Sequence, residues 1–435
     1  MSAKPNGQDL LPPNPNLTHQ DHIVLDSLYA DIQQGTNPSS GKGQSHDQQA
    51  LERLRALNNP SDPDFEPTVL SMYDRKDIPA WVNRLILDPY GRLATQIVRH
   101  PTDVVFLTHI LWNMLITLPS AVYLFHHFTY IHAIAHAVHA VWCAGPFTLM
   151  MHNHIHNHGI LAKSWKVFDS AFPYVLEPLL GHTWDTYYYH HVKHHHVESN
   201  GPEDLSSTIR YQRDELLHFM HYEGRFLFLV WWDLPRYFIR KKQPLLAFKA
   251  FASEISSYIF LYSMARLNGK AAIFVFFIPL FFMRLALMIG NWGQHALVDE
   301  VEPDHDLRSS ITLIDVPSNR FCFNDGYHTS HHLHPLRHWR EQPIHFMQQK
   351  ELYANGRALV FHDIDFFMMT VRLLCKDYAT LADHLVPIGD QVKMSKAEIA
   401  DMLRTKTRKF TEEDIQQKFR KKGLSPQAQV VKDEL

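Results

Sequence analysis

Residues 271–290 read AAIFVFFIPLFFMRLALMIG, an apolar run with one charged side chain, Arg284, and the next five residues lead from Asn291 to His295. A run of this length crosses the roughly 30 Å hydrocarbon core of a bilayer as an α-helix. Three comparable stretches precede it: Val104 to Phe125, Ile131 to Met151 and Leu245 to Leu267. The links from Phe125 to Ile131 and from Leu267 to Ala271 are short, so the spans pair as two antiparallel hairpins with both turns on one side. Arg84, Arg92 and Arg99 precede the first span and Arg240, Lys241 and Lys242 the third, whereas the turns offer only Arg266 and Lys270. Positive charge stays in the cytosol, which puts both termini and the long central segment there. The expected fold is an all-α polytopic membrane protein with four transmembrane helices in two hairpins. Within the spans, His109, His136, Glu254 and Arg284 are the polar exceptions, and intramembrane ionisable groups are rare and functional.

The ends differ from this interior. Residues 1–63 are rich in Pro, Asn, Gln, Ser and Asp with little apolar periodicity, which predicts a disordered tail. Residues 64–390 form the membrane unit, and 391–435 a basic, helical and flexible tail. The stretches from Val360 to Pro387 and from Lys393 to Lys422 are expected to be helical on the cytosolic side. No positively charged start leads into an apolar run, so a cleaved signal peptide is not expected. The last residues, Lys432-Asp433-Glu434-Leu435, spell an endoplasmic reticulum retrieval address that works only in the lumen. The inferred topology puts them in the cytosol, so the match is read as chance.

A net charge of −3 without long runs of one sign excludes a nucleic-acid footprint. Cys143, Cys322 and Cys375 are too far apart in sequence for a CxxC zinc site or a disulfide framework. Histidine is the anomaly: there are 32, clustered mid-chain. After the second span comes Met151-His152-Asn153-His154-Ile155-His156-Asn157-His158-Gly159. Residues four apart share a helix face, so His152 with His156, or His154 with His158, makes one ligand pair. The second cluster is His190-His191-Val192-Lys193-His194-His195-His196, where His191 shares a face with His194 and His195. The third is His328-Thr329-Ser330-His331-His332-Leu333-His334-Pro335. Adjacent histidines diverge by about 100° on a helix and address two different metals, which suits a binuclear site. Asn291 and His295 are four apart and in line with Arg284. Every cluster falls at a cytosolic end of a span, so topology alone gathers them. Arg284 is read as orienting an acidic partner, with Glu254 a candidate, or a substrate head group, the alternative being that both face a hydrated cavity. Met150, Leu287 and Met288 line a channel or the core, and Asp299, Glu300, Glu302, Asp304 and Asp306 make an acidic loop read as a solvated surface or a docking point for a basic electron donor.

These boxes, over a region from about Val104 to His338, resemble those of the membrane fatty acid desaturases and their hydroxylase relatives. The family pattern is His-x(3–4)-His, then twice His-x(2–3)-His-His, with a further histidine before the last box. The resemblance implies a cytosolic, histidine-rich cap holding two iron ions, with O2 as co-substrate and a long acyl lipid as substrate. Carried over residue by residue, it assigns His328, His331 and His332, His295 and its helper Asn291. In the first box it favours His152 and His156 over His154 and His158, and in the second His191, His195 and His196 over His194. Imidazole suits iron and leaves such a cluster more cationic than carboxylate bridges would. No haem or iron-sulfur module is visible in either tail. Electrons then come from a separate protein, a b-type cytochrome with its reductase in eukaryotic relatives or a ferredoxin in bacterial and plastid ones. The resemblance also favours the endoplasmic reticulum membrane. A lipid hydroxylase or ketolase on the same scaffold is the nearest alternative, and a zinc transporter with a His-rich loop the alternative of another class.

Overall fold

The structure is a computed structural model that describes residues 11–12, 18–34, 44–65, 67–73, 75–314 and 316–419. It is mostly helical. Among the described residues, four helices are long and apolar enough to cross a membrane: Pro101–His126, Tyr130–Asn157, Pro244–Leu267 and Gly269–His295. Their ends are set by ordinary helix chemistry. Proline stands at the first position at Pro101 and Pro244, and the side chains of Thr129 and Asn268 accept the backbone N–H of His132 and Ala271. Wide π-type turns, Asn113–Thr117 and Ile273–Phe277, come just before Pro119 and Pro279. A proline cannot donate to the ladder and its ring crowds the carbonyl one turn back, and the wide turn relieves both. Much of the apolar surface of these helices faces outward, including Ile131 at 86% and Leu115 at 71% exposure. Contiguous apolar surface of this kind needs a lipid or protein cover.

The second and fourth spans run further than their hydropathy alone indicates, to Asn157 and His295. Two of the histidine-bearing segments are thus the rigid ends of spans. The Arg284–Glu254 pair is present: the guanidinium donates to Glu254, whose carboxylate also accepts from Thr183 Oγ1 and Thr186 Oγ1, each at 2.7 Å, and from Tyr258. This buried pair joins the third and fourth spans to the segment leading into the second histidine cluster. Gly181 starts that segment with φ +87°, and a Cβ there would lie 2.4 Å from the carbonyl oxygen of Pro279. Only glycine combines that conformation with that approach.

Three expectations are corrected. The helical expectation for Val360 to Pro387 is corrected at its start, where β2 (Leu359–His362) pairs in parallel with β1 (Ile311–Ile314), Ile311 opposite Leu359, as a small sheet within the mostly helical fold. Both strands are buried throughout. A short apolar run buried on both faces has no period that separates strand from helix, so the sequence alone places Val360 in a helix. The helices resume at Phe366–Leu374 and Tyr378–His384.

The disordered reading of residues 1–63 fails over His19–Gln34 and Gln44–Asn58, which are helices. Ile23, Val24, Leu25, Leu28, Ala50 and Leu54 pack with Tyr327, Phe346 and Val360 in one apolar cluster. Polar composition concealed a few well-spaced apolar residues whose partners lie some 300 positions away. Residues 1–10, 13–17 and 35–43 lie outside the described residues.

The acidic loop is not simply solvated. Asp299 pairs with Lys406 at 2.7 Å, Glu302 with Arg308 at 2.6 Å and Glu300 with Arg408 at 3.4 Å. The tail that supplies Lys406 and Arg408 is itself packed, with capped helices Lys396–Thr405 and Glu412–Lys418 and with Phe410 and Ile415 against Ile209 and Val298. Fully buried Arg213 fastens it, donating to the carbonyls of Ala296 and Lys406 at 2.9 and 3.0 Å. Residues 420–435, including the terminal Lys-Asp-Glu-Leu, lie outside the described residues.

Candidate metal centre

The second span carries the first cluster on its last turns. His152 and His156, one turn apart, face the same way with ring centroids 4.8 Å apart. His154 turns to the opposite side, its Nε2 3.1 Å from the carbonyl of Asp169 and its ring against Phe172. His158 ends the helix in the left-handed region, φ 53°, and is exposed.

The second cluster lies on a π-helix, Tyr188–His195, that passes into a last turn at His196–Glu198. An α-helix would put His191 over His194 and His195. The wider winding instead aligns residues five apart, and His191 Nε2 lies 3.0 Å from His196 Nε2. His194 is then turned away: its Nε2 accepts the backbone N–H of Leu205 at 3.0 Å and its ring packs on Tyr237. His195 points to a different neighbourhood, with ring centroids 5.2 Å from His295 and 5.1 Å from His332.

The third cluster is the short helix His328–Leu333. Its adjacent histidines part company. His331 Nε2 is 3.0 Å from His152 Nε2 and 2.9 Å from His196 Nε2, while the ring of His332 lies beside His195, His295 and His328.

Two groups result. The donor nitrogens of His152, His156, His191, His196 and His331 lie within 4.8 Å of one another, as do those of His195, His295 and His332. His328 adjoins the second group, Nε2 to Nε2 with His295 at 3.0 Å. The adjacent pairs His195/His196 and His331/His332 each send one ring to each group. His154, His158 and His194 belong to neither.

The donor set fits metal ions. Nitrogens about 2.1 Å from a common ion and at right angles around it are about 3.0 Å apart, the separation that recurs here. The Nε2 atoms of His156 and His332, one in each group, are buried without a hydrogen-bond partner, and such orphans are rare unless something else satisfies them. Burial, followed by the neighbouring rings, holds His191, His196, His328, His331 and His332 well below the ordinary histidine range. That direction favours the neutral ring, the form a metal ligand takes.

Outer partners orient the rings. His195 Nδ1 is 2.7 Å from Asp204 Oδ2, and His295 Nδ1 is 2.8 Å from the carbonyl of Ser309. A proton on each Nδ1 leaves the Nε2 lone pair facing the group. Burial opposes ionisation of Asp204, yet His195 and Ser206 hold its carboxyl below the usual range. Asn291 stands one turn before His295 and donates to the carbonyl of Ser206 at 2.9 Å and to Tyr222 Oη at 2.6 Å. It braces the loop that carries Asp204. Asp204, Ser309 and Tyr222 carry no spacing signature in the sequence and were missed.

A cavity of about 1120 Å³ opens beside the histidines, larger than the roughly 300–1000 Å³ common for small-molecule sites. Tyr73, Trp112, Trp142, Leu287 and Met288 line its apolar part, Thr183, Arg284 and Asn291 add polar groups, and His152, His191, His195 and His328 face it from both groups. Met150 is buried in the core instead.

The fatty acid desaturase family model matches residues 129–362, more than half of the chain. This chain belongs to the fatty acid desaturase family. The matched region holds all three histidine clusters and three of the four candidate spans. No curated protein matches the chain. Membership makes this an oxidoreductase of lipid metabolism associated with a membrane, and the transporter alternative falls away.

Proposed function

We propose that the protein is an O2-dependent desaturase of a long lipid acyl chain with two iron ions. One ion is held by His152, His156, His191, His196 and His331, the other by His195, His295, His328 and His332, with Asn291 and Asp204 bracing the second set. The observation that carries this reading is the partition of two adjacent histidine pairs between two groups. One ion needs no more than six ligands, so nine converging imidazoles imply two.

When bound, the ions supply O2 chemistry strong enough to remove hydrogen from an unactivated methylene. The chain's own part is placement. The apolar cavity takes the acyl chain, excludes water and holds one stretch of it beside both histidine groups. The Arg284–Glu254 pair fixes the cavity wall where the third and fourth spans meet. In this reading the spans form two hairpins, the histidine-rich cap and both termini are cytosolic, and residues 64–390 are the catalytic unit in the endoplasmic reticulum membrane. A separate b-type cytochrome with its reductase, or a ferredoxin, delivers electrons at the cap.

Protein reconstituted anaerobically with excess iron is expected to bind two irons per chain. Metal analysis returning one ion, or zinc held tightly in place of iron, would count against the proposal.

A further inference from the structure

We propose that Asp21, on the N-terminal helix His19–Gln34, is a positioning residue for the third histidine box. The inference rests on the two-metal reading for its consequence, although not for its geometry. Asp21 is fully buried, accepting the Tyr327 hydroxyl at 2.7 Å and the Asn319 Nδ2 at 3.2 Å. Both donors belong to the turn that delivers the box. Asn319 Oδ1 accepts the backbone N–H of Gly326 at 2.8 Å, and the neighbouring Asn324 donates to Gln20 Oε1 at 3.1 Å. Tyr327 immediately precedes His328, and its carbonyl accepts the N–H of His331 at 3.0 Å, opening the helix that carries the ligands.

This turn has little regular structure to hold it. Phe323 and Asn324 are both left-handed, at φ 56° and 58°, and at Gly326 a Cβ would lie 2.4 Å from both Asn319 Oδ1 and the Leu313 carbonyl oxygen. Side-chain hydrogen bonds add to the backbone ones, such as Asn324 N–H to the Asn319 carbonyl at 3.0 Å and Leu313 N–H to the Gly326 carbonyl at 2.7 Å, and helix His19–Gln34 supplies partners for three of the side-chain bonds. That helix lies outside the family-matched residues 129–362, so this chain braces the family's site with a segment the family model does not describe. Two of four ligands in the second group, His328 and His332, depend on the turn, against one of five, His331, in the first. The second ion should be the more sensitive.

The test uses the full chain. In metal-free protein, Asp21→Ala should speed amide hydrogen exchange across residues 324–334 at least about tenfold, the equivalent of one lost buried hydrogen bond. Asp47→Asn, which disturbs the same N-terminal segment through its contacts to Lys350 at 2.6 Å and Ser27, should leave that exchange unchanged. After loading with iron-57, Asp21→Ala should keep one iron and lose the Mössbauer doublet of the other, and Asp21→Asn, which retains an acceptor for Tyr327, should recover part of it. Unchanged exchange in Asp21→Ala, or equal acceleration in Asp47→Asn, would overturn the proposal by reducing the helix to general support. Because exchange is read without metal, a failure of the two-iron reading shows separately, as a wild-type iron count below two.

Discussion

Replacing His331 with alanine is expected to abolish turnover while leaving the protein in the membrane. His331 Nε2 sits within 3.0 Å of both His152 and His196, so it links the end of the second span to the π-helix, and its neighbour His332 belongs to the other group. On the two-iron proposal its loss removes a ligand at the junction of the two histidine groups. Outer partners of a metal ligand typically contribute 10–100-fold, and loss of the ligand itself should exceed that, at roughly a thousandfold or more. Insertion depends on the four apolar helices, none of which contains His331, so the membrane fraction should hold wild-type amounts. Turnover, iron content and membrane abundance measured together separate a lost ligand from a lost fold. Substantial activity in the variant would remove His331 from the centre.

The first cluster provides the second large effect, since helix geometry lets only one of its pairs face the other gathered histidines. His156→Ala should eliminate activity and His158→Ala should reduce it modestly. The His156 Nε2 is buried, unpartnered and gathered with four other donors, whereas His158 is an exposed residue closing the helix. Alanine at its left-handed φ of 53° costs at most about 1 kcal/mol relative to histidine, since both carry a Cβ. Assays of the two variants side by side decide the register. The opposite pattern would move the ligand pair by two residues and put the other face of the helix toward the metals.

Much of this site was legible because hydropathy and spacing are local. The four apolar runs located the candidate spans, and the fourth led directly to Asn291 and His295. Four-residue spacing in the first cluster left two pairs open, since either is consistent with a helix. Asp169 and Phe172 settle where His154 points, and neither is near it in sequence. In the second cluster an α-helical reading placed His191 over His194 and His195. The π-helix aligns it with His196 instead, and backbone winding of that kind leaves no compositional trace.

Pairings made only when loops close were the least legible, near in sequence or far. Asp204 behind His195 and Ser309 behind His295 are an unremarkable aspartate and serine until the loops close. Lys406 and Arg408 neutralise acids some hundred residues away, so the acidic loop looked solvated. The N-terminal helices were hidden for the same reason: Val24, Leu25 and Leu28 are too few to form a core alone and become buried only against Tyr327 and Phe346. β2 was lost because three buried apolar residues and a buried histidine are too few to show a period.

The central claim concerns the reaction, and product analysis under isotopically heavy O2 tests it most directly. Given a reduced electron donor and a long acyl lipid, the enzyme should yield a product two mass units lighter. It should contain one new double bond at a single position along the chain and no labelled oxygen, because the cavity fixes one stretch of the chain beside the histidine groups. A product carrying one labelled oxygen atom would contradict desaturation and identify a hydroxylase.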